Sequence, residues 1–301
     1  MSFGRNRTGI LLLFAAITFL LSGPLLGQVT VIRGGWLFDG TGNERVANPG
    51  IVIQAGKILA VGEEGRDWEI SQVFEVGSDH TILPGFIDLH AHYAVDFFGK
   101  GRVDETQVYP LLFMANGVTS TFPAGEIDPD KMRRLRIEID EGRRVGPRIL
   151  NSGPYFGTAR YGWNRDIRPA QIEAEVDEWA RKGVRGFKAK NITAPHLKAL
   201  LSAAHRHGLT VTAHLNSGVG ESVNPRDAIV MGIDRVEHFL GGDALDPSRH
   251  AYASWRSVDV ESDEFKSVAR LYIDHRVYFD ATIAAFGSFG AVESPVFEDF
   301  A

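Results

Sequence analysis

The stretch Leu83-Pro84-Gly85-Phe86-Ile87-Asp88-Leu89-His90-Ala91-His92 places two imidazoles two residues apart at the end of an apolar run. Residues two apart on a β-strand face the same side, so His90 and His92 can offer two ring nitrogens to one cation. Asp88 shares that face one step deeper, where a carboxylate can orient a metal-bound imidazole. His205-Arg206-His207 has the same spacing but closes a helical pattern. Side chains two apart on a helix diverge by about 200°, so this second pair cannot chelate one ion. It is expected at the surface, where a helix C-terminus favours histidine.

Three further strand candidates each end in a group that can do chemistry. Val184–Lys190 carries Lys188 and Lys190 on one face, Leu209–His214 ends in His214, and Asp234–His238 ends in His238. A lysine facing inward is unusual, because a buried ammonium is costly unless it is paired or chemically altered. Other chemistries are closed off. The chain has no cysteine, which removes thiol nucleophiles, thiolate metal sites and disulfides. No Gly-x-Ser-x-Gly is present, against a serine hydrolase. The formal charge of -6 leaves no basic footprint for nucleic acid.

The elements that would carry these residues change character along the chain. Residues 28–80 read as short strands with turns at Gly34-Gly35 and Asp39–Asn43. Ile51–Ile53 and Ile58–Val61 flank Gln54-Ala55-Gly56-Lys57 in a hairpin pattern. Gly40 and Gly42 lack the third glycine and the following helix of a phosphate loop, and read as a turn. From residue 81 onward strands alternate with helices. Strands are expected near 82–90, 118–122, 148–151, 184–190, 209–214, 234–238 and 277–282. Pro169–Lys182, with Ile172, Val176 and Trp179 on one face, and Ala194–His207 read as helices. Repeated β-α units of this kind make a parallel sheet, closed as a barrel or open. Seven strands are found, where an eight-stranded barrel needs one more and roughly 250 residues.

At the N-terminus Arg5 and Arg7 precede the apolar run Ile10–Leu21, followed by Ser22, Gly23, Pro24 and Gly27. This is the order of a secretory signal peptide, residues 1–27, which predicts a secreted or periplasmic protein. The alternative is an uncleaved anchor, since Ile10–Leu26 approaches the short limit for a membrane span. No later segment is apolar enough to cross a bilayer.

Taken in order, Pro84–His92, Gly117–Thr121, Gly183–Lys188, Val211–His214 and Val236-Glu237-His238 resemble the amidohydrolase superfamily, in its imidazolonepropionase-like and prolidase-like branch. The resemblance implies an α/β fold: a TIM-like (β/α)8 barrel over residues 81–301 beside a small N-terminal β-sandwich-type domain over residues 28–80. It implies one or two divalent ions at the barrel mouth, zinc being favoured by histidine ligands. His90 and His92 would hold the first ion and His214 and His238 the second. Lys188, carboxylated by CO2, would bridge them, with Lys190 the lesser alternative. The implied reaction is hydrolysis of an amide-type C–N bond in a small molecule: a cyclic amide, a dipeptide or an N-acyl amino acid. Tyr155, Arg160 and Tyr161, read as part of a loop Asn151–Asn164, are candidate substrate contacts. The family also uses a strand-eight aspartate as metal ligand and proton acceptor. Asp280 falls in the seventh strand candidate and Asp299 in the tail, so the barrel is expected to stop short of that aspartate. The rival expectation is a metal-binding chain without turnover.

Overall fold

A computed structural model describes residues 28–62, 68–95, 103–104, 106–216, 221–240, 242–246 and 257–283. The expected signal peptide and Asp299 lie outside the described residues. The chain divides after Pro84 into two compact units, four residues beyond the boundary read from the sequence.

The first unit is a five-stranded sheet. Its strands are β1 (Val29–Leu37), β2 (Val46–Ala47), β3 (Gly50–Gln54), β4 (Lys57–Val61) and β5 (Ile70–Ile82). The hairpin forms as its sequence indicates, with Gln54 opposite Lys57. Ala55 and Gly56 between them have φ of 50° and 72°, the two left-handed residues of the turn that matches strand twist. Val29, Val31 and Val52 bury one face, while Ile58, Val61 and Phe74 stay exposed on other strands. The described strands of this unit pair into one five-stranded sheet, the small β domain that the sequence leads one to expect. The thirteen-residue β5 pairs in parallel with β1 and takes up Ile82, which the sequence reading gave to the next strand. Pro84 cannot donate to a ladder, and the next strand starts only at Phe86.

The second unit has β6 (Phe86–Ala91), β7 (Ala94–Val95), β8 (Val103–Asp104), α1 (Tyr109–Ala115), β9 (Val118–Pro123), α2 (Pro129–Asp140), β10 (Arg148–Ile149), β11 (Tyr155–Phe156), α3 (Pro169–Arg181), β12 (Gly186–Lys190), α4 (Ala194–Arg206), β13 (Thr210–His214), α5 (Pro225–Met231), β14 (Arg235–Glu237), α6 (Gly242–Leu245), α7 (Asp263–Asp274) and β15 (Tyr278–Asp280). The strands of its two main sheets are all parallel, in the orders β10-β9-β6 and β11-β12-β13-β14-β15. The third barrel strand is split. β10 pairs with β9, β11 pairs with β12, and a bridge from Glu126 to Pro154 spans the gap. Each barrel strand therefore neighbours the next in sequence, the winding of a β/α barrel.

Alternation decides what faces inward. Phe187 and Ala189, Val211 and Ala213, and Val236 belong to one apolar cluster with Ile172, Val176, Leu197, Leu200 and Val268 of the helices. The intervening residues Lys188, Thr212 and Glu237 are buried on the other face. Period-two side-chain direction thus forces a polar inner wall wherever the outer wall is apolar. The two sheets approach each other on this wall: Arg235 of β14 donates to the Leu89 carbonyl of β6 at 2.9 Å.

Candidate functional site

His90 comes from β6, and its backbone N–H donates to Asp88 Oδ1 at 2.8 Å. Its ring stands 5.1 Å from that of His92 and 4.8 Å from that of His238, centroid to centroid. His214, the last residue of β13, lies 4.6 Å from His238. Four imidazoles from three strand ends therefore form one continuous group. Lys188 lies beneath them, 1% exposed, and its Nζ meets Glu237 Oε2.

Glu237 is fully buried and was not singled out from the sequence. Thr212 Oγ1 donates to its Oε1 at 2.9 Å, and the same oxygen lies 3.2 Å from His90 Nδ1. One ligand atom from each of His90, Glu237 and His238 falls within 4.8 Å of the others. Glu237 and His238 are consecutive, so a regular strand would point them apart. The strand ends at Glu237, and His238 takes a left-handed φ of 68°. That conformation costs a non-glycine residue of order 1–3 kcal/mol and gathers at functional sites. It lets both side chains reach the same interior. Thr282 Oγ1 lies 2.6 Å from His238 Nδ1 and fixes the ring. Apolar Val236 facing outward is the signal that Glu237 faces in. Nothing in the sequence announces the turn at His238.

Electrostatics favour neutral rings. Burial, then the Lys188 charge, holds His90 far below the usual histidine range. Burial, then Lys190 and Lys188, does the same for His214. Burial, with Lys188 and Lys190 next, pushes His238 down to about 3. Burial above all, with Lys190 and Arg235, lowers Lys188 well below the ordinary lysine range. Burial raises Asp88, against the hydrogen bond from His90. A neutral imidazole keeps the lone pair that a divalent cation needs. His90 Nδ1 is buried and makes no hydrogen bond, although Glu237 Oε1 lies 3.2 Å away, so a ring nitrogen points into the group beside a carboxylate. The donor set fits a divalent ion of nitrogen and oxygen preference.

Arg235 was also missed. It donates to Thr212 Oγ1 at 3.0 Å and to the Leu89 carbonyl, and it lines a cavity of about 970 Å³ with Asp88, Thr212 and Asp280. Arginine inside an otherwise apolar-and-threonine wall has no periodic signature.

The three candidate substrate contacts do not converge. Tyr155 is not in a loop: it lies on β11, in register with Lys188 of β12, and is buried, because the third strand resumes there. Arg160 is tied to Glu175 at 2.7 Å, and Tyr161 is fully exposed. His205 and His207 stand apart from the group, beside Asp234 at 3.0 Å and Asp177 at 2.6 Å respectively. They diverge as a helix end requires.

A parallel β/α barrel with imidazoles, a lysine and carboxylates at the C-terminal ends of its strands is the architecture of barrel hydrolases. The model of the amidohydrolase family matches residues 81–271, and the chain belongs to that family. It is 22% identical over 202 residues to a dihydropyrimidinase of Dictyostelium discoideum, a match spanning 65% of this chain and 39% of the relative. Among solved structures it resembles a Xaa-Pro dipeptidase with methionine bound in its active site. That similarity has a TM-score of 0.66 at 22% identity over 88% of this chain and 69% of the other. It also resembles molinate hydrolase, with a TM-score of 0.62 at 18% identity over 85% of this chain and 63% of the other.

Proposed function

We propose that this chain carries the hydrolytic centre of a metal-dependent enzyme that cleaves amide-type C–N bonds in small molecules. The substrate class is a cyclic amide, a dipeptide or an N-acyl amino acid. The observation that carries the reading is the meeting of His90, Glu237 and His238 within 4.8 Å, with His90 Nδ1 buried and without a hydrogen bond. His90, His92, His214 and His238 would hold one or two divalent ions, zinc by preference for imidazole. When bound, the ion supplies Lewis-acid activation of a water and of the substrate carbonyl.

The chain's own residues prepare that site. Asp88 fixes the β6 backbone at His90, and Thr282 fixes the His238 ring. Lys188 faces Glu237. If the neutral Lys188 amine were to take up CO2 and release one proton to solvent, an amine facing a carboxylate would become an anion facing a carboxylate. Such a pair would be tolerable in a buried site only with compensating positive charge, which a bound divalent cation would supply. Carboxylation and metal loading are therefore coupled in this reading. The apolar run at Ile10–Leu21 supports export through a cleaved signal peptide, and N-terminal sequencing of the mature protein tests it. Among the described residues no helix is long and apolar enough to cross a membrane.

The test is metal analysis of purified protein, then turnover of a panel of dipeptides, N-acyl amino acids and lactams with zinc and bicarbonate present. Stoichiometric metal and hydrolysis of one class, both lost in His90→Ala, are expected. Metal without turnover of any class would leave a metal-binding protein and overturn the hydrolase reading.

A further inference from the structure

Next to the strand ends that carry His90 and His92 lies a second, smaller cavity that the proposed chemistry does not use. It has a volume of about 170 Å³, room for several water-sized groups, and its wall includes Tyr93, Pro123, Glu126, Ile127, Asp128 and Met132. Tyr93 follows His92 directly, and Glu126 follows the end of β9. The cavity therefore opens at the same end of the strands as the imidazoles.

Glu126 is 4% exposed. Its Oε1 accepts from Asn151 Nδ2 at 2.6 Å and from the Ser152 N–H at 3.2 Å. Its Oε2 is buried with no hydrogen-bond partner, as is Oδ1 of the same Asn151 side chain. A buried polar atom left unsatisfied is costly, and more so when charged. Burial pushes the Glu126 carboxyl up to about 8, with the Asn151 and Ser152 hydrogen bonds opposing it. Lys131 also lines the cavity, and its backbone N–H donates at 2.9 Å to Oδ1 of Asp128, the N-cap of α2. Glu126 Oε2 and Asn151 Oδ1 therefore both lack a hydrogen-bond donor, and a cationic donor would also favour the ionised form of the carboxyl. The rest of the wall, with Tyr93, Pro123, Ile127 and Met132, suits an apolar stem.

We propose that this cavity is a subsite for a primary ammonium group on a short apolar stem, with Glu126 Oε2 as its counter-ion. As part of a substrate site the subsite rests on the hydrolase reading; as a binding site it stands without it.

The experiment titrates the full chain, metal-free and zinc-loaded, with n-butylammonium and with n-butanol, by calorimetry. Expected is binding of the amine in both forms, at least 10-fold weaker binding of the alcohol, and at least a 10-fold loss of amine affinity in Glu126→Gln. A readout that needs no variant is the carbon-13 titration of labelled glutamate in the wild-type chain. Saturating butylammonium should lower the Glu126 midpoint by at least one pH unit. Equal affinity for alcohol and amine, no amine binding, unchanged affinity in Glu126→Gln or an unmoved midpoint would each overturn the proposal. Amine binding in a chain that hydrolyses nothing would strike the hydrolase reading and leave the subsite standing.

Discussion

Glu237 and Asp280 are register partners on the adjacent parallel strands β14 and β15. Both carboxylates reach Nδ1 of His90, at 3.2 Å and 3.8 Å. The first strand of the barrel is thus met by acids from the sixth and seventh. A strand-end histidine bracketed in this way is surrounded by oxygen ligands as well as by other imidazoles, which is a mixed donor set suited to zinc or a similar ion.

Removing members of this group should separate the two histidine pairs that share one spacing. His90→Ala and His238→Ala are each expected to weaken zinc binding at least 10-fold. The double variant His205→Ala/His207→Ala should bind as the wild type does, since those rings contact Asp234 and Asp177 instead. Competition against a chromophoric chelator measures this. Equal weakening by the helix pair would remove the strand-face argument.

Lys188 and Glu237 form a buried pair of opposite formal charge. Breaking such a pair from one side typically costs about 3–5 kcal/mol, because the remaining group is left uncompensated. Lys188→Met and Glu237→Gln in the metal-free chain should each approach that loss. The double variant should lose less than the sum, by a coupling of about 0.5–3 kcal/mol. Urea unfolding of all four proteins gives the cycle, and strictly additive losses would show that the pair carries no coupling.

The fold was largely legible in the sequence because barrel strands and helices bury opposite sides at fixed periods. Val211 and Ala213 alternate with Thr212 and His214, and Ile172, Val176 and Trp179 recur at helical spacing. The strand-end histidines were legible for the same reason. The third strand was harder. It breaks into Arg148–Ile149 and Tyr155–Phe156, and Gly153, with φ of 64°, turns the chain between them. Tyr155 was read as a loop residue on that account. Glu237 was hidden beside a histidine that a regular strand would have turned the other way. Glu126 stands beyond the end of its strand, where no periodicity marks it, and its burial comes from the long-range partners Asn151 and Ser152.

Glu126 should also leave a mark on pH dependence. Burial raises its carboxyl in the folded chain to about 8 from the ordinary 4.5, so between these values the folded chain binds more protons than the unfolded one. Stability from this group is therefore present below pH 4.5 and is lost as pH rises through 8, at up to about 1.4 kcal/mol per pH unit. Glutamine mimics the protonated carboxyl and does not titrate. The stability of Glu126→Gln relative to wild type should rise steadily from pH 5 to pH 8, measured by urea unfolding at each pH. A difference independent of pH would mean that Glu126 titrates in its ordinary range.

Gly125 holds the wall between that carboxylate and the third strand. Its φ is 93°, a conformation that glycine adopts freely and other residues resist. A Cβ built there would lie 2.2 Å from the Tyr155 ring, and Tyr155 is buried and paired in register with Lys188. The ring cannot retreat without disturbing that strand. Gly125→Ala therefore combines backbone strain with overpacking, and the expected loss of stability is about 1–3 kcal/mol. The displaced ring should move β11 against β12, so the variant should also weaken zinc binding although it touches no proposed ligand. Gly142→Ala is the control for backbone strain alone. Its φ is 69° and nothing lies within 4 Å of its would-be Cβ, so it should lose less stability and leave zinc affinity unchanged. Thermal unfolding and the chelator competition, run on both variants, check the pair. Equal destabilisation with unaltered zinc affinity in both would show that contact with Tyr155 transmits nothing from Gly125 to the strand that carries Lys188.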